Sequence, residues 1–167
     1  DYSAINDKIL TPIVYGEEWN SVGWVNSSWR PLYGEGAKAI GFEIAEQLGW
    51  RAPDNMVNPV AAGLSLSQMY RALKEFEYFG LINNVRTRMH AAQPSGCNPV
   101  VDAWRRGEPF KIIPPKNPKS IAETLCVGRP ANGLGVLDVL KESNGSATDV
   151  TDPEIEQGMN LFYETTG

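Results

Sequence analysis

The sequence lacks the long apolar runs and the excess of basic residues that would suggest a membrane or a nucleic acid as its partner. No apolar stretch approaches the roughly 20 residues that a helix needs to cross a bilayer. The 167 residues include 15 Lys and Arg against 20 Asp and Glu, which gives a net charge of −5. Binding driven by phosphate groups needs clustered positive charge, so we expect neither nucleic acid nor membrane as a partner.

Cysteine and histidine are also scarce. Cys97 and Cys126 are the two cysteines, and His90 is the single histidine. Two cysteines are too few for a disulfide framework, and neither has the spacing of a metal ligand. We therefore predict no metal site and two reduced thiols in a cytoplasmic protein. One disulfide between the two cysteines is the alternative.

The N-terminus lacks a starting Met and shows neither the charged nor the apolar region of a signal peptide. We expect a chain that has been trimmed or cut from something longer. Without a secretory signal, the glycosylation sequons at Asn26 and Asn144 are interpreted as chance matches.

What the sequence does contain is the composition and patterning of a globular α/β domain. Hydrophobic residues make up 42% and charged residues 21%, and a chain of this length can bury about 70% of its unfolded surface. Strand patterns are predicted at 22–26, 56–60, 88–92 and 147–150, and helical patterns at 34–48, 66–79, 98–104, 120–126, 134–140 and from 151 to the C-terminus. This alternation predicts a mostly parallel sheet with helices on both faces.

The first candidate site is the Gly-Glu-Gly-Ala-Lys-Ala run at residues 34–39. It matches the G-x-G-x-x-G/A fingerprint of dinucleotide-binding proteins. The fingerprint needs a strand that leads directly into the glycines, whereas Pro31 and several other residues separate Val25 from Gly34. A plain helix start is the favoured interpretation, and dinucleotide binding is the alternative.

The second candidate site joins the predicted strand 56–60 to the helix that follows it. Its residues are Ala61, Ala62, Gly63, Leu64 and Ser65. Small side chains let an anion approach the backbone, and the N-terminal end of a helix favours negative charge. Physical reasoning leaves two interpretations open, which are a phosphate site and an ordinary strand-to-helix turn.

His90 is expected to be structural, because it lies in an apolar strand without a second histidine. The chain has no G-x-S-x-G elbow, so the sequence gives no support to a Ser-His-Asp hydrolase.

Several segments, taken in order, resemble threonine synthase. They include Pro-Leu-Tyr-Gly-Glu-Gly-Ala-Lys at 31–38, Glu-Gln-Leu-Gly-Trp-Arg-Ala-Pro-Asp at 46–54, Pro-Val-Ala-Ala-Gly at 59–63, Ala-Gln-Pro-Ser-Gly-Cys-Asn-Pro at 92–99, Gly-Arg-Pro-Ala-Asn-Gly at 128–133 and Asp-Val-Thr-Asp-Pro-Glu-Ile at 149–155. Cysteate synthase shares much of this pattern. The resemblance runs from about Val22 to the end of the chain.

The resemblance implies the tryptophan-synthase-β-like fold, with pyridoxal 5′-phosphate as cofactor and O-phosphohomoserine and water as the substrates that give threonine and phosphate. In this family a strand-to-helix turn holds the cofactor phosphate, and that turn corresponds to residues 61–65. Here Ala61, Ala62 and Leu64 replace Gly, Ser or Asn residues of the family, so backbone N–H groups would be the main donors.

The family's Schiff-base lysine precedes an Asp, whereas none of the seven lysines of this sequence does. We therefore assign no catalytic residue. Residues 1–21 are predicted to be a remnant of the small domain or a linker, and residues 22–167 a partial large domain.

A fragment of this kind would be inactive alone, and its uncovered apolar faces predict self-association. The alternative is a catalytically dead module of the same fold that binds a small phosphate compound or a partner.

Overall fold

The computed structural model describes residues 31–166, except for the side chain of Pro31. The predicted strand at 22–26 and the assignment of residues 1–21 lie outside this range. The described elements are α1 (Pro31–Ala37), α2 (Ala39–Gln47), β1 (Asn55–Pro59), α3 (Leu64–Tyr78), β2 (Arg88–Pro94), α4 (Pro99–Arg106), a 3-10 turn (Glu123–Leu125), α5 (Gly133–Glu142), β3 (Ser146–Val150) and α6 (Asp152–Thr166).

The three strands form one parallel sheet in the order β1-β2-β3. Met56 pairs with Met89, and Ala91 pairs with Ala147. Parallel neighbours need a crossover connection; here α3 lies between β1 and β2, while α4 and α5 lie between β2 and β3. The predicted α/β class with a parallel sheet is confirmed.

The main core lies on one face of this sheet. Alternate strand residues point to opposite faces, and Met89 and Ala91 point into a cluster that α3, α4 and α5 complete. On the opposite face Val57 is 72% exposed. We predicted helices on both faces; in the described part of the chain they cover one.

A second, smaller cluster joins α2 to α3. Ala45, Leu73 and Ile82 form its buried centre, and the rings of Phe42 and Phe76 stack with centroids 4.5 Å apart.

The predicted helix 34–48 is in fact two helices that meet at Lys38. The backbone N–H of Lys38 donates to Glu35 O at 3.1 Å, which is a tighter turn than that of an α-helix. The Lys38 side chain is buried and reaches both Glu35 and Glu75. Gly49 (φ +71°) ends α2 in the left-handed conformation, as its position after the helix predicts.

The predicted helix 120–126 is reduced to the single 3-10 turn Glu123–Leu125. We expected Ser120 to cap a helix. Its hydroxyl instead donates to Asp152 Oδ1 at 2.6 Å and accepts a hydrogen bond from Ala122 N. Residues 107–119 contain four prolines and form no helix, as predicted.

Helix α6 has no buried residue, and Met159 and Phe162 on it are 65% and 69% exposed. None of the described helices combines the length and the apolar character needed to cross a membrane.

Candidate functional site

The five residues predicted to hold a phosphate lie together at the carboxyl end of β1. After Pro59 the ladder continues for one residue, with Val60 N donating to Ala92 O at 2.8 Å, and the chain then turns into α3. Gly63 is the N-cap of α3, with φ +91°, and no side chain caps this end of the helix. In an open parallel α/β sheet, ligands bind outside the carboxyl ends of the strands, so the location suits a binding site.

The turn forms one wall of a cavity of about 550 Å³. Helix α1 forms the opposite wall, so that the lining consists of Pro59, Ala61, Ala62, Gly63, Leu64 and Ser65 together with Leu32, Tyr33, Gly36 and Ala37. The lining is mostly apolar. Its hydroxyl groups belong to Ser65, which donates to Asn58 Oδ1 at 3.3 Å, and to Tyr33.

Asn132 is not among the residues that line this cavity, and it holds the turn through hydrogen bonds. Its backbone N donates to Ala62 O at 2.9 Å, and its Nδ2 donates to Gly63 O at 3.2 Å and to Ser67 Oγ at 2.8 Å. A trans peptide points its C=O and N–H in opposite directions. The two carbonyls therefore face Asn132, and the N–H groups of Gly63 and Leu64 face away from it.

Asn132 escaped the sequence analysis as a site residue. An Asn immediately before an apolar helical pattern is an N-cap signal, and Asn132 is the N-cap of α5, with its own carbonyl accepting from Val136 N. Its hydrogen bond to Gly63 spans 69 positions, and no local pattern predicts a contact at that separation.

Gly63 is needed for close packing as well as for its backbone angle. A Cβ at this position would lie 2.7 Å from Val136 Cγ2 and 3.2 Å from Asn132 O. The turn can therefore approach the start of α5 only if residue 63 lacks a side chain.

The described residues fit the phosphate of pyridoxal phosphate better than they fit its aldehyde. An uncapped helix of 15 residues preceded by small side chains offers backbone donors to an anion, and the apolar wall of α1 suits an aromatic ring. No lysine is among the described residues that line the cavity.

Lys38 directly follows α1, which lines the cavity, but its ammonium group forms ion pairs with two glutamates. Its Nζ lies 2.6 Å from Glu35 Oε2 and 2.5 Å from Glu75 Oε1. The hydrogen bonds to Glu35 and then Glu75 raise the pKa of Lys38, against the opposing effect of burial. A Schiff-base lysine must be able to lose its proton, so Lys38 is a poor candidate for that role.

The dinucleotide fingerprint at residues 34–39 does not have the geometry that its function requires. Gly34 and Gly36 lie within α1, rather than in a turn between a strand and a helix. A Cβ on Gly34 would approach Gln68 Nε2 to 2.9 Å. The structure thus explains the first glycine by the packing of α1 on α3. The favoured interpretation of a plain helix start is right that these residues are helical but wrong about the start, because α1 begins at Pro31.

His90 lies on the open face of the sheet between two polar neighbours. Its Nδ1 is 2.8 Å from Ser146 Oγ and its Nε2 is 3.0 Å from Asn55 Oδ1. These hydrogen bonds tie β2 to both neighbouring strands, which is a structural role. Among residues 31–166, no group of three His, Cys, Asp or Glu side chains is placed to hold a metal ion.

Comparison with known proteins identifies relatives of this chain. Threonine synthase of Methanocaldococcus jannaschii is 38% identical over 84% of this chain, and that of Methanosarcina acetivorans is 37% identical over 77%. The matched segments make up 34% and 31% of those relatives, so the chain spans about a third of their length. Cysteate synthase of Methanoregula boonei is 29% identical over 75% of the chain and 31% of its own length.

The fold has a counterpart among solved structures. The crystal structure of a threonine deaminase from T.th. superposes with a TM-score of 0.59 at 19% identity, covering 82% of this chain and 47% of that one. The profile of the family described as "Pyridoxal-phosphate dependent enzyme" matches residues 13–167. This match extends over most of the chain, which therefore belongs to the family of pyridoxal-phosphate dependent enzymes.

Proposed function

We propose that this chain is the phosphate-holding part of a threonine synthase-like enzyme, with Ala61, Ala62, Gly63, Leu64 and Ser65 around the phosphate of pyridoxal 5′-phosphate. The observation that carries the proposal is the uncapped start of α3, which opens beside a cavity of about 550 Å³ at the carboxyl edge of a parallel sheet. Similarity to threonine synthases supplies the reaction, which is conversion of O-phosphohomoserine and water to threonine and phosphate.

Each described part of the site has a definite task in this proposal. The backbone N–H groups of Gly63 and Leu64 bind the phosphate, and Asn132 orients them through the carbonyls on the other side of the turn. The apolar residues of α1 exclude water from the ring. Bound pyridoxal phosphate would supply the electron sink for the reaction, and the chain's own residues would position it.

The chain by itself is proposed to be catalytically inactive. No lysine lines the cavity in the described part of the chain, and no lysine of the sequence precedes an Asp as the family's Schiff-base lysine does. We also propose a cytoplasmic origin, with which the free thiols and the proposed enzyme class are consistent.

Equilibrium dialysis of the full chain against pyridoxal phosphate, pyridoxal and inorganic phosphate tests the phosphate site. We expect the two phosphate compounds to bind at one shared site and pyridoxal to be retained far less, because the proposed donors contact the phosphate alone. Equal retention of pyridoxal and pyridoxal phosphate would contradict the assignment of residues 61–65.

Borohydride reduction in the presence of pyridoxal phosphate, followed by intact-mass measurement, tests the inactivity. We expect labelling that is scattered and substoichiometric. A single stoichiometric adduct on one lysine would overturn the proposal that the chain forms no Schiff base.

The second candidate function is a catalytically dead module that binds a small phosphate compound or a partner. The lack of a cavity-lining lysine among the described residues favours it. Complementation separates the two candidates. Threonine formed from O-phosphohomoserine after addition of a polypeptide that carries the family's Lys-Asp motif supports the enzyme part, and phosphate binding without any threonine formation supports the module.

Self-association is proposed from the apolar surface that the described residues leave uncovered. Val57 on the open sheet face and Met159 and Phe162 on α6 are each at least 65% exposed, and large exposed apolar patches mark interaction surfaces. We expect sedimentation velocity to show species larger than the monomer at high concentration. A monomer over the whole concentration range would contradict this proposal.

A further inference from the structure

Gln93, near the carboxyl end of β2, contacts the residue that precedes the turn of the candidate site. Gln93 is 2% exposed, and both ends of its side-chain amide are hydrogen-bonded. Its Nε2 donates to Val60 O at 3.1 Å, and its Oε1 accepts from Val100 N at 2.9 Å and from Val101 N at 3.3 Å. One buried amide therefore joins the start of the turn at residues 61–65 to the first turn of α4.

The proline that follows Gln93 explains its contact with Val60. In a parallel ladder, the N–H and the C=O of one residue bond to two positions of the neighbouring strand that are two residues apart. Val60 N donates to Ala92 O at 2.8 Å, so the regular partner of Val60 O would be the N–H of residue 94. Residue 94 is a proline, which has no N–H. Gln93 Nε2 supplies the missing donor.

This contact fixes the direction of the first peptide of the turn. The peptide between Val60 and Ala61 is trans, and a trans peptide points its C=O and N–H in opposite directions. The N–H of Ala61 therefore points away from Gln93. Within residues 31–166 this N–H donates to no acceptor, and Ala61 lines the cavity of about 550 Å³ whereas Gln93 does not.

We propose that Gln93 is a positioning residue of the phosphate site, which aims the Ala61 N–H at a bound phosphate by holding Val60 O. This inference rests on the proposed function, because it needs a phosphate at residues 61–65. It adds the N–H of Ala61 to the donors assigned to Gly63 and Leu64. It also gives a buried side chain of β2 an effect on binding, although that side chain does not touch the ligand.

The two ends of the Gln93 amide have different tasks, and the experiment must separate them. Oε1 accepts from two backbone N–H groups at the start of α4, which stabilises the helix whether or not phosphate is bound. Nε2 acts on the turn through Val60 O. A loss of stability on substitution of Gln93 would reflect either end, whereas recovery of phosphate affinity through a new donor to Val60 O would reflect Nε2.

Gln93→Met, alone and combined with Pro94→Ala, tests the proposal. Met is similar in size to Gln but has no N–H and only a weak acceptor. Pro94→Ala then restores a backbone N–H at the position where a regular ladder supplies the donor to Val60 O. Calorimetric titration of the full chain with inorganic phosphate measures the affinity, and urea unfolding measures the stability.

We expect Gln93→Met to weaken phosphate binding about tenfold, which corresponds to the loss of one hydrogen bond, and to lower the urea midpoint. Adding Pro94→Ala should restore most of the affinity. The midpoint should stay low, because Val100 N and Val101 N still lack their acceptor. The control Gln47→Met replaces an exposed amide on α2 and should change neither quantity.

Gln93→Glu provides a second test that preserves the acceptor for α4. Its carboxylate can accept from Val100 N and Val101 N but has no donor for Val60 O, so Pro94→Ala should again restore affinity, here at constant charge. Phosphate affinity that is unchanged in Gln93→Met, or that Pro94→Ala restores in neither background, would overturn this inference and leave the proposed phosphate site standing. Absence of phosphate binding by the unchanged chain would overturn the proposed function as well.

Discussion

Gly63 combines two constraints, and a substitution there should reveal both. Its left-handed backbone costs a residue with a side chain about 1 kcal/mol, and a Cβ would also press on Val136 at 2.7 Å, which adds about 1–3 kcal/mol. Gly80 has a similar backbone angle, φ +71°, and a Cβ there would meet nothing within 4 Å. It is therefore a matched control.

We expect Gly63→Ala to lower the free energy of unfolding by about 2–4 kcal/mol and Gly80→Ala by about 1 kcal/mol. Urea denaturation of the two variants measures the difference. Equal losses would show that the contact of the turn with α5 carries no energy.

Asn132 donates three hydrogen bonds to the turn and to α3. Asn132→Ala removes the two side-chain bonds and leaves Gly63 O and Ser67 Oγ without these partners, which should cost about 1–3 kcal/mol. Because Asn132 orients the N–H groups proposed to bind phosphate, the affinity for inorganic phosphate should also fall.

The control for Asn132 is Gln47→Ala, which removes an exposed amide that donates to Glu43 Oε1 on the same helix. We expect this variant to change stability by less than about 0.5 kcal/mol and to leave phosphate binding unchanged. Calorimetric titration with phosphate distinguishes the two. A loss of stability in Asn132→Ala with unchanged phosphate affinity would limit Asn132 to a structural role.

The carboxylate of Asp149 makes the folding stability depend on pH, and the structure gives the direction of this dependence. The hydrogen bond from Arg105 lowers the pKa of Asp149, and the charge of Arg105 acts in the same direction against the effect of burial. Because the folded-state pKa is depressed, the stabilisation is complete above the unfolded-state pKa and is lost as the pH falls through the folded-state value.

We therefore expect stability to fall as the pH drops below about 4 in the unchanged chain, and less steeply in Asp149→Asn. Arg105 is about half exposed, so solvent weakens the pair and the difference should be small. Thermal unfolding across this range measures it. Parallel pH profiles for the two proteins would show that the ion pair is not the cause of the stability loss at low pH.

At the scale of elements, the crossing of α2 and α3 depends on Gly41. A Cβ there would lie 2.7 Å from Ala72 Cβ and 2.8 Å from Met69 O, whereas Gly158, in the exposed helix α6, has nothing within 4 Å. Alanine is a better helix former than glycine by about 1 kcal/mol, so the same substitution should have opposite effects at the two positions.

We expect Gly41→Ala to destabilise the protein by about 1–3 kcal/mol. Gly158→Ala should raise the helix content slightly and leave the unfolding midpoint unchanged or higher. Circular dichroism followed during urea unfolding reports both quantities. A stabilising effect at Gly41 would mean that the helices separate at little cost.

The elements show which features the sequence could predict. The strands near Val57, Ala91 and Thr148 and the turn at residues 61–65 follow from local patterns of apolar residues, glycine and proline. The break at Lys38 could not be predicted, because it accompanies an ion pair with Glu75 on another helix. The lost helix at 120–126 has a similar cause in the contact between Ser120 and Asp152.

At the scale of the whole molecule, the same division between local and distant contacts applies. Alternation of strands and helices predicts a parallel sheet, and the sheet is confirmed. The contact of Asn132 with Gly63 joins segments that only the complete tertiary structure brings together. The sequence therefore predicts the candidate turn at residues 61–65 from local patterns, but it gives no sign of the contact between that turn and Asn132.

The contact of Asn132 with Gly63 couples binding to folding. The two residues lie 69 positions apart, so the orientation of the turn is established only when β1, α3 and α5 have assembled. An anion that binds only this assembled form stabilises the folded chain by RT ln(1 + [L]/Kd), which is about 2.7 kcal/mol at a hundredfold excess over Kd. Such a ligand would act on the native state as a whole, slowing exchange of amide hydrogens even in strands that it never touches.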